Sequence, residues 1–284
     1  MAVSLKILAE RPELCDAKLL MSFGPGIADH TKIESCFITG LIRVTNSKNL
    51  LEVGVHNGGS SLVMLNAIRD NKEARLYSVD YSDTVIYGRN KGEKIGWAVK
   101  EHLPELAPQW HLFTGGHIAE FIDEMPRGID LCFLDSAHQL PGEILDFLII
   151  LPYMQQAGLF IIHDTCDDHF EHHLEWRNKD FSPVFYLTCI ANSVLFAVAR
   201  GEKIKPREFP AAIFPTANIG ALLINDDTRK YIDDLFWALN IKWRYLPSDK
   251  DMLYIVPILE KHYERRNVDM FLRNYELNKR VGCV

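Results

Sequence analysis

The chain has 284 residues, 48% of them hydrophobic and 24% charged, and a formal net charge of −7. This is the composition of an ordinary globular protein, and the acidic balance argues against a general nucleic-acid surface, which needs a basic excess. The sequence has no apolar run of membrane-spanning length, no signal-peptide pattern and no Cys-x-x-Cys pair among its six cysteines. We therefore expect no membrane span, free thiols and a cytoplasmic location.

Strand and helix patterns alternate along the chain. Apolar residues at helical spacing predict helices over 4–21 and 30–45. Short continuous apolar runs then predict five buried strands with helices between them, one of these helices over 88–103. The predicted strands are 49–55, 75–80, 110–116, 129–135 and 158–164. This alternation predicts an α/β fold, a doubly wound and mostly parallel sheet with helices on both faces.

The pattern changes after the fifth predicted strand. Residues 163–173 are rich in histidine and aspartate, and a solvated loop is the favoured interpretation. Two apolar runs separated by Ala191 and Asn192 then predict a tight antiparallel hairpin over 184–199.

The remainder of the chain is a proline-rich stretch followed by helical patterns, which suit a cap over a site or an oligomer contact. The sequence thus predicts three parts, namely N-terminal helices over 1–47, a core over 48–200 and a helical arm or cap over 201–284.

Four of the five predicted strands end in polar residues. Glu52 and Gly54 lie at the first strand, Asp80 ends the second, Asp135 ends the fourth, and His163 with Asp164 ends the fifth. Because ligands bind beyond the carboxyl ends of the strands in such sheets, we expect these residues to gather at one edge around a ligand.

The loop after the first strand, "EVGVHNGGSS", does not match the common phosphate-binding patterns. It has no lysine after its glycines, which excludes a P-loop, and its spacing differs from the Gly-x-Gly-x-x-Gly of dinucleotide-binding loops. An acidic residue beside glycines suits a ligand with a cationic group that approaches the backbone closely. S-adenosylmethionine is such a ligand, and Asp80 is placed to accept hydrogen bonds from ribose hydroxyls.

With "LLEVGVHNGGSS", "LYSVD", "IDLCFLDSAH" and "GLFIIHDT" the chain resembles class I S-adenosylmethionine-dependent methyltransferases. The resemblance covers about residues 48–200 and is closest to the small-molecule O-methyltransferase branch that includes macrocin-type sugar methyltransferases. It implies a Rossmann-like sheet of seven strands with the last strand antiparallel, and S-adenosylmethionine as cofactor. The cofactor-binding residues that it implies are Glu52, Gly54, Val55, His56, Gly58, Ser60, Asp80, Tyr81, Gly116 and Asp135.

The resemblance also implies a catalytic and metal cluster. Metal-dependent members carry oxygen ligands at the ends of the fourth and fifth strands, where this chain has Asp135, His163 and Asp164. Mg²⁺ prefers oxygen ligands, so His163 departs from the pattern and leaves both the metal and its identity open. Without a metal, His138 or His163 would act as the general base, which gives Asp135, His138 and His163 as candidate catalytic residues.

The leading hypothesis is a divalent-metal-assisted O-methyltransferase that acts on a hydroxyl of a small molecule such as a sugar or a natural-product intermediate. The alternatives are a metal-independent N- or carboxyl-methyltransferase and a catalytically silent binding protein with this fold. A nicotinamide-dependent dehydrogenase is disfavoured by the glycine spacing. A homo-oligomer is possible, and neither nucleic acid nor membrane is expected as a partner.

Overall fold

The computed structural model describes residues 6, 27, 30–165, 191–206 and 218–283. Within these residues the centre is a seven-stranded sheet. Its strands in chain order are β1 Asn49–Val53, β2 Arg75–Asp80, β3 Trp110–Thr114, β4 Ile129–Leu134, β5 Met154–His163, β6 Glu202–Ile204 and β7 Ile219–Leu223. The α-helices are α1 Lys32–Thr45, α2 Gly59–Ile68, α3 Trp97–His102, α4 Ile118–Phe121, α5 Gly142–Ile150, α6 Ala191–Val198, α7 Asp226–Lys230, α8 Asp233–Ala238, α9 Asp249–His262 and α10 Arg265–Val281.

The strands lie in the order β3-β2-β1-β4-β5-β7-β6. Strands β1 to β5 are parallel, whereas β7 pairs antiparallel with both β5 and β6. This sheet, with flanking helices and a helical C-terminal region, confirms the predicted doubly wound fold whose last strand is antiparallel. The carboxyl ends of the five parallel strands consequently meet at one edge.

Two apolar layers cover the sheet because alternate residues of each strand point to opposite faces. In β4, Cys132 and Leu134 face the layer that contains α4, α5 and the C-terminal helices. Leu131 and Phe133 face the layer that contains α1, α2 and α3. Burial on both sides explains why the strands appear in the sequence as continuous apolar runs.

Helix α1 has a well-defined start that fixes its position beside the sheet. The Thr31 hydroxyl accepts a bond from the Glu34 backbone N–H at 3.2 Å, and the Glu34 carboxylate accepts one from the Thr31 N–H at 2.7 Å. This reciprocal capping box satisfies two donors that a helix leaves free at its first turn. The helix ends at Asn46, which adopts a left-handed φ of 50°.

The predicted hairpin over 184–199 is wrong. Its second run forms the helix α6, in which Ala191, Leu195 and the following Ala199 are buried at a spacing of four residues. Such spacing places these side chains on one helical face, where they pack into the apolar layer with the C-terminal helices. The antiparallel pair is instead formed by β6 and β7, so the sheet continues past residue 200.

Other predicted elements differ in extent. The helix predicted over 88–103 is confined to α3, and the residues before it form a loop with positive φ at Gly88, Gly92 and Gly96. The helix predicted over 4–21, the first hairpin run and most of the histidine-rich segment lie outside the described residues. Two of the predicted free thiols, Cys36 and Cys132, are buried.

The C-terminal helices pack around Trp243, which is fully buried. Its ring stacks on that of Phe271 with centroids 5.8 Å apart, and its backbone N–H donates to the Asn278 side chain at 2.9 Å. These contacts hold α10 against the segment that precedes α9. No described helix is both long and apolar enough to cross a bilayer.

Gly54 joins the carboxyl ends of β1, β2 and β4. Its N–H donates to the Val79 carbonyl at 2.9 Å, and Asp135 N–H donates to the Val53 carbonyl at 2.9 Å. With φ of 94°, a Cβ at this position would lie 1.8 Å from the Asp135 carbonyl oxygen. The residue must therefore be glycine for both conformational and steric reasons.

We predict that Gly54→Ala lowers the free energy of unfolding by about 3 kcal/mol or more, because the added methyl group meets backbone rather than a movable side chain. Gly88→Ala is the matched control, since Gly88 has φ of 80° but no atom within 4 Å of its would-be Cβ. The control should lose about 1–2 kcal/mol from left-handed strain alone. Equal losses for the two variants in urea unfolding would contradict the steric argument.

Candidate active site

A cavity of about 460 Å³ lies at the carboxyl edge of the sheet. Loops that follow β1 to β4 and the last residue of β5, His163, line it, together with parts of the N-terminal and C-terminal regions. Its walls include the predicted site residues Gly54, Val55, His56, Ser60, Asp80, Tyr81, Gly116, Asp135, His138 and His163. The strand ends thus come together as the sequence predicted, around a space large enough for a small-molecule ligand.

Glu52 is not brought to the cavity. Its side chain is fully buried, and its carboxylate accepts hydrogen bonds from the hydroxyls of Ser60 at 2.5 Å, Ser61 at 2.6 Å and Ser78 at 2.5 Å. Burial raises the pKa of Glu52 to about 7 in spite of these bonds. Glu52 therefore supports the first turn of α2 from behind.

The loop between β1 and α2 bends sharply at Gly58. This glycine has φ of 95° and precedes α2, and a Cβ there would lie 3.1 Å from the Gly96 Cα. Gly58 itself does not line the cavity, whereas Ser60 in the first turn of α2 does. Gly58 is thus a turn residue that directs the start of α2 toward the cavity.

Asp80 binds this loop directly. Its Oδ2 accepts hydrogen bonds from the backbone N–H groups of Val55 at 3.0 Å and His56 at 2.9 Å, and its Oδ1 accepts one from Ser82 N–H at 2.9 Å. His56 has a left-handed φ of 50°, and its ring stacks on that of Tyr87 with centroids 4.3 Å apart. The carboxylate thereby connects the ends of β1 and β2 while it remains on the cavity wall.

A charged cluster forms where β4 and β5 end. His163 Nδ1 lies 3.5 Å from Asp135 Oδ1 and 3.4 Å from Asp164 Oδ1. Burial lowers the pKa of His163, but the adjacent Asp135, Asp164 and Glu34 carboxylates outweigh it and raise the pKa well above the usual value. Burial raises the pKa of Asp135, yet His163 and His138 hold it below its ordinary value. Ionised Asp135 thus faces a protonated His163 at neutral pH.

His138 lies on the other side of Asp135. Its Nε2 is 3.7 Å from Asp135 Oδ1, and its Nδ1 is 3.3 Å from Asp164 Oδ2 and 3.6 Å from Glu143 Oε1. Burial lowers the pKa of His138, whereas the three carboxylates raise it above its ordinary value. Because its side chain remains 42% exposed, His138 can meet a ligand directly.

Possible metal ligands fall into two overlapping sets in this cluster. Asp135, His138 and Asp164 place ligand atoms within 4.8 Å of one another, and so do His30, Asp135 and His163. Asp164, which the pocket lining does not include, has a left-handed φ of 53° and accepts a bond from the Asn218 amide.

Sequence reasoning missed the contribution of the N-terminal helix. Glu34 Oε1 lies 3.6 Å from His163 Nε2, although both residues are nearly enclosed by protein. Burial raises the pKa of Glu34, but the neighbouring His163 brings it below its usual value. The Thr-x-x-Glu pattern of the capping box predicts the start of the helix at Thr31. No neighbouring residue in the sequence indicates that Glu34 also contacts His163 of β5.

A second missed network lines the cavity near the end of β3. His117 Nε2 lies 3.1 Å from Asp146 Oδ1, and Ser136 Oγ donates to Asp146 Oδ2 at 2.7 Å. Close by, Glu143 is fully buried, accepts a bond from the His138 backbone N–H, and has its pKa raised to about 7 by burial. These groups fix the loop that carries Asp135 and His138.

The C-terminal region supplies another wall that sequence reasoning left undecided. Residues Tyr245, Leu246, Pro247, Ser248 and Asp251 line the cavity. The Tyr81 hydroxyl donates to Asp251 Oδ2 at 3.2 Å across 170 positions of sequence. The helical appendage therefore takes part in forming the site.

Comparison with known proteins gives one family match. A family model described as a methyltransferase domain matches residues 51–165. No curated protein matches the chain.

Solved structures share the fold at low sequence identity. An O-methyltransferase from Bacillus cereus in complex with SAH is 15% identical, covers 71% of this chain and 84% of its own, and has a TM-score of 0.50. A putative caffeoyl-CoA O-methyltransferase from Staphylococcus aureus is 16% identical, with coverage of 78% and 92% and a TM-score of 0.50. A putative O-methyltransferase from Klebsiella pneumoniae is 13% identical, with coverage of 78% and 100% and a TM-score of 0.50.

The family match and the sheet confirm the predicted resemblance to class I methyltransferases. Residues 51–165 match a methyltransferase domain model, and the sheet has the predicted Rossmann-like arrangement with its last strand antiparallel. The matched residues run from β1 to the end of β5 and include the loops that follow β1 to β4 and line the cavity.

We predict a pH-dependent stability difference between the wild-type protein and Glu52→Gln. The folded-state pKa of about 7 exceeds the ordinary 4.5, so the folded protein binds this proton more tightly than the unfolded chain does. The wild type should therefore lose stability relative to Glu52→Gln as pH rises from 4.5 to 7, by up to about 3 kcal/mol. Urea unfolding at a series of pH values measures this loss.

The exposed-site variant Glu276→Gln serves as control for general effects of a lost charge. A constant difference between the wild type and Glu52→Gln across this pH range would show that burial does not perturb Glu52.

Proposed function

We propose that the protein transfers the methyl group of S-adenosylmethionine to a hydroxyl of a small molecule. The observation that carries this proposal is the arrangement of one cavity, in which the carboxylates of Asp80 and Asp135 stand on either side of the glycine loop at Gly54. Such a cavity offers a polar contact to each part of a nucleoside joined to a cationic amino acid. The names of the solved O-methyltransferases support the same reaction class.

The nucleoside part of the cofactor fits the ends of β2 and β3. Asp80 lies on the cavity wall with a carboxylate that can accept bonds from the two ribose hydroxyls. The neighbouring Tyr81 ring is 59% exposed and offers an aromatic face to the base. Gly116, which follows β3, contributes only backbone to the cavity wall and leaves room for the base.

The methionine part fits the loop between β1 and α2. The first turn of α2 faces the cavity through Ser60, and the N-terminus of a helix favours a carboxylate through its free N–H groups and dipole. Asp135, held ionised by its histidine neighbours, provides negative charge toward the sulfonium and amino groups.

Methyl transfer requires an acceptor oxygen in line with the methyl group and the sulfur, together with removal of the hydroxyl proton. His138 is the group best placed to take this proton, since it lies beside Asp135 and is partly exposed in the cavity. His163 is buried among carboxylates that raise its pKa well above the usual value, so it is suited to holding Asp135 and Asp164 in place rather than to taking the proton.

The same cluster is chemically suited to a divalent cation. Asp135, His138 and Asp164 would hold it, and a set of two carboxylates and one imidazole favours Mn²⁺, Fe²⁺ or Zn²⁺ over Mg²⁺. When bound, such a cation would lower the pKa of the acceptor hydroxyl.

One observation favours a metal-independent reaction as the second candidate. His163, whose pKa is raised by these neighbours, lies 3.5 Å from Asp135 and 3.4 Å from Asp164 and so offsets part of the negative charge that would attract a metal ion. In that case His138 alone removes the acceptor proton, and nitrogen and carboxylate acceptors become equally compatible with the site.

We predict that Asp80→Asn weakens binding of S-adenosylhomocysteine (SAH) at least about tenfold, measured by isothermal titration calorimetry. Asparagine has one acceptor oxygen instead of two, so it cannot accept both the Val55 and His56 bonds and the Ser82 bond. The loop therefore loses support, and the ribose loses a charged partner. Asp83→Asn is the matched control, because Asp83 lies three residues further on and outside the cavity lining. Unchanged affinity in a folded Asp80→Asn protein would contradict the placement of the nucleoside.

We also predict that chelator-treated protein binds Mn²⁺, and that Asp164→Asn reduces this affinity at least about tenfold. Electron paramagnetic resonance of free Mn²⁺ measures the binding without an acceptor. Asp70→Asn, at an exposed acid paired with Arg43, is the control for general loss of charge. No uptake of Mn²⁺, Fe²⁺ or Zn²⁺ by the wild type would leave His138 as the proton acceptor without metal help.

A further inference from the structure

A segment of the C-terminal region is attached to the loops at one end of the cavity. The Tyr81 hydroxyl in the loop after β2 donates to Asp251 Oδ2 at 3.2 Å. The backbone N–H of Arg244, which precedes the segment, donates to the Leu140 carbonyl in the loop after β4 at 2.9 Å. Residues 245–251 thus lie across the tips of these strands, and we call them the C-terminal wall.

A third contact connects the C-terminal wall with the element after β3. Lys250 Nζ lies 2.8 Å from Glu120 Oε2 of α4. The three contacts therefore reach the elements after β2, β3 and β4. This is the end of the cavity that carries Asp80 and Gly116, where the proposed function places the nucleoside.

Within the C-terminal wall, Tyr245 has its phenol near three acidic side chains. Burial raises the pKa of its phenol well above the usual value, and Asp146, Glu143 and Asp251 raise it further. The hydroxyl therefore remains a hydrogen-bond donor, and it lies 3.3 Å from the position that a Cβ on Gly142 would occupy. The phenol is accordingly near the start of α5, within the cavity lining.

Asp146 and Asp251 line the cavity beside Tyr245. The Asp146 oxygens already meet His117 and Ser136, and Asp251 Oδ2 accepts from Tyr81 and Ser248, so Asp251 Oδ1 is the carboxylate oxygen best placed to accept from a ligand. A carboxylate accepts hydrogen bonds, whereas the Tyr245 hydroxyl donates one. A matching ligand edge carries a donor next to an acceptor. Adenine has this pattern in its exocyclic amino group and the neighbouring ring nitrogen.

We propose that the C-terminal wall recognises the adenine of the cofactor, with Tyr245 donating to ring nitrogen N1 and Asp251 accepting from the exocyclic amino group. The inference rests on the proposed function, since it requires the nucleoside to bind beside Asp80. Tyr81 is a positioning residue in this arrangement, because its bond to Asp251 holds its ring against the C-terminal wall. The helical C-terminal region is thus part of the cofactor site.

The test compares SAH with S-inosylhomocysteine by isothermal titration calorimetry. The inosine base has a carbonyl oxygen in place of the amino group and an N–H in place of the ring acceptor, so it reverses the hydrogen-bonding pattern. The wild type should bind SAH at least about tenfold more tightly than the inosine analogue, because unpaired polar groups at a buried site are costly.

Tyr245→Phe should weaken SAH binding about fivefold and reduce the discrimination between the two ligands, whereas Tyr81→Phe should weaken SAH binding about threefold. Tyr231→Phe is the control, since Tyr231 lies on the surface outside the cavity. Thermal denaturation verifies that each variant is folded.

The outcomes separate this inference from the proposed function. If the wild type does not bind SAH, the proposed function fails and the inference falls with it. If the wild type binds SAH but does not discriminate against the inosine analogue, or if both tyrosine variants behave like the wild type, the recognition of adenine by the C-terminal wall is overturned while the cofactor site stands.

Discussion

The hydrogen bonds from the Val55 and His56 amides to the Asp80 carboxylate are the constraint on which the site depends. A parallel sheet brings strand ends to one edge but leaves the loops beyond them free to vary. Here the end of β2 binds the loop of β1 through one carboxylate, and Gly54 allows that loop to pass the Asp135 carbonyl without a side chain. The cavity floor is thereby determined by backbone groups, which hold their geometry better than long side chains do.

Burial determines which of the acidic residues at the strand ends face the cavity. Glu52 lies behind the loop and accepts bonds from three hydroxyls, so its carboxyl group is separated from the ligand space. At the opposite end, His163 is surrounded by Glu34, Asp135 and Asp164 and carries the compensating positive charge. Because Glu34 belongs to α1, this ionic contact also fastens the N-terminal helix to the tip of β5. The N-terminal region is thus connected electrostatically to the carboxyl end of β5.

The sequence was sufficient for the parallel strands because they are short and mostly apolar and four of the five end in polar residues, and these features are local. The prediction of a strand at 191–199 was wrong because this short apolar run is compatible with both strand and helix spacing. The packing of Ala191 and Leu195 determines that it is a helix. The acids at strand ends were found, but Glu52 and Asp135 carry the same local signal and only the structure separates a buried support from a cavity wall. Glu34 and Tyr245 were missed because their relevant neighbours lie far away in the chain.

The C-terminal helices explain how an otherwise open sheet edge becomes a cavity. The tips of the strands form a floor, and the segment after Trp243 supplies a wall. The position of that wall depends on Trp243, which is buried against Phe271 of α10 and bonded to Asn278. The bond from Tyr81 to Asp251 connects this region directly to the loop after β2. The packing of the appendage and the shape of the ligand site are therefore parts of one arrangement, even though no residue of α10 lines the cavity.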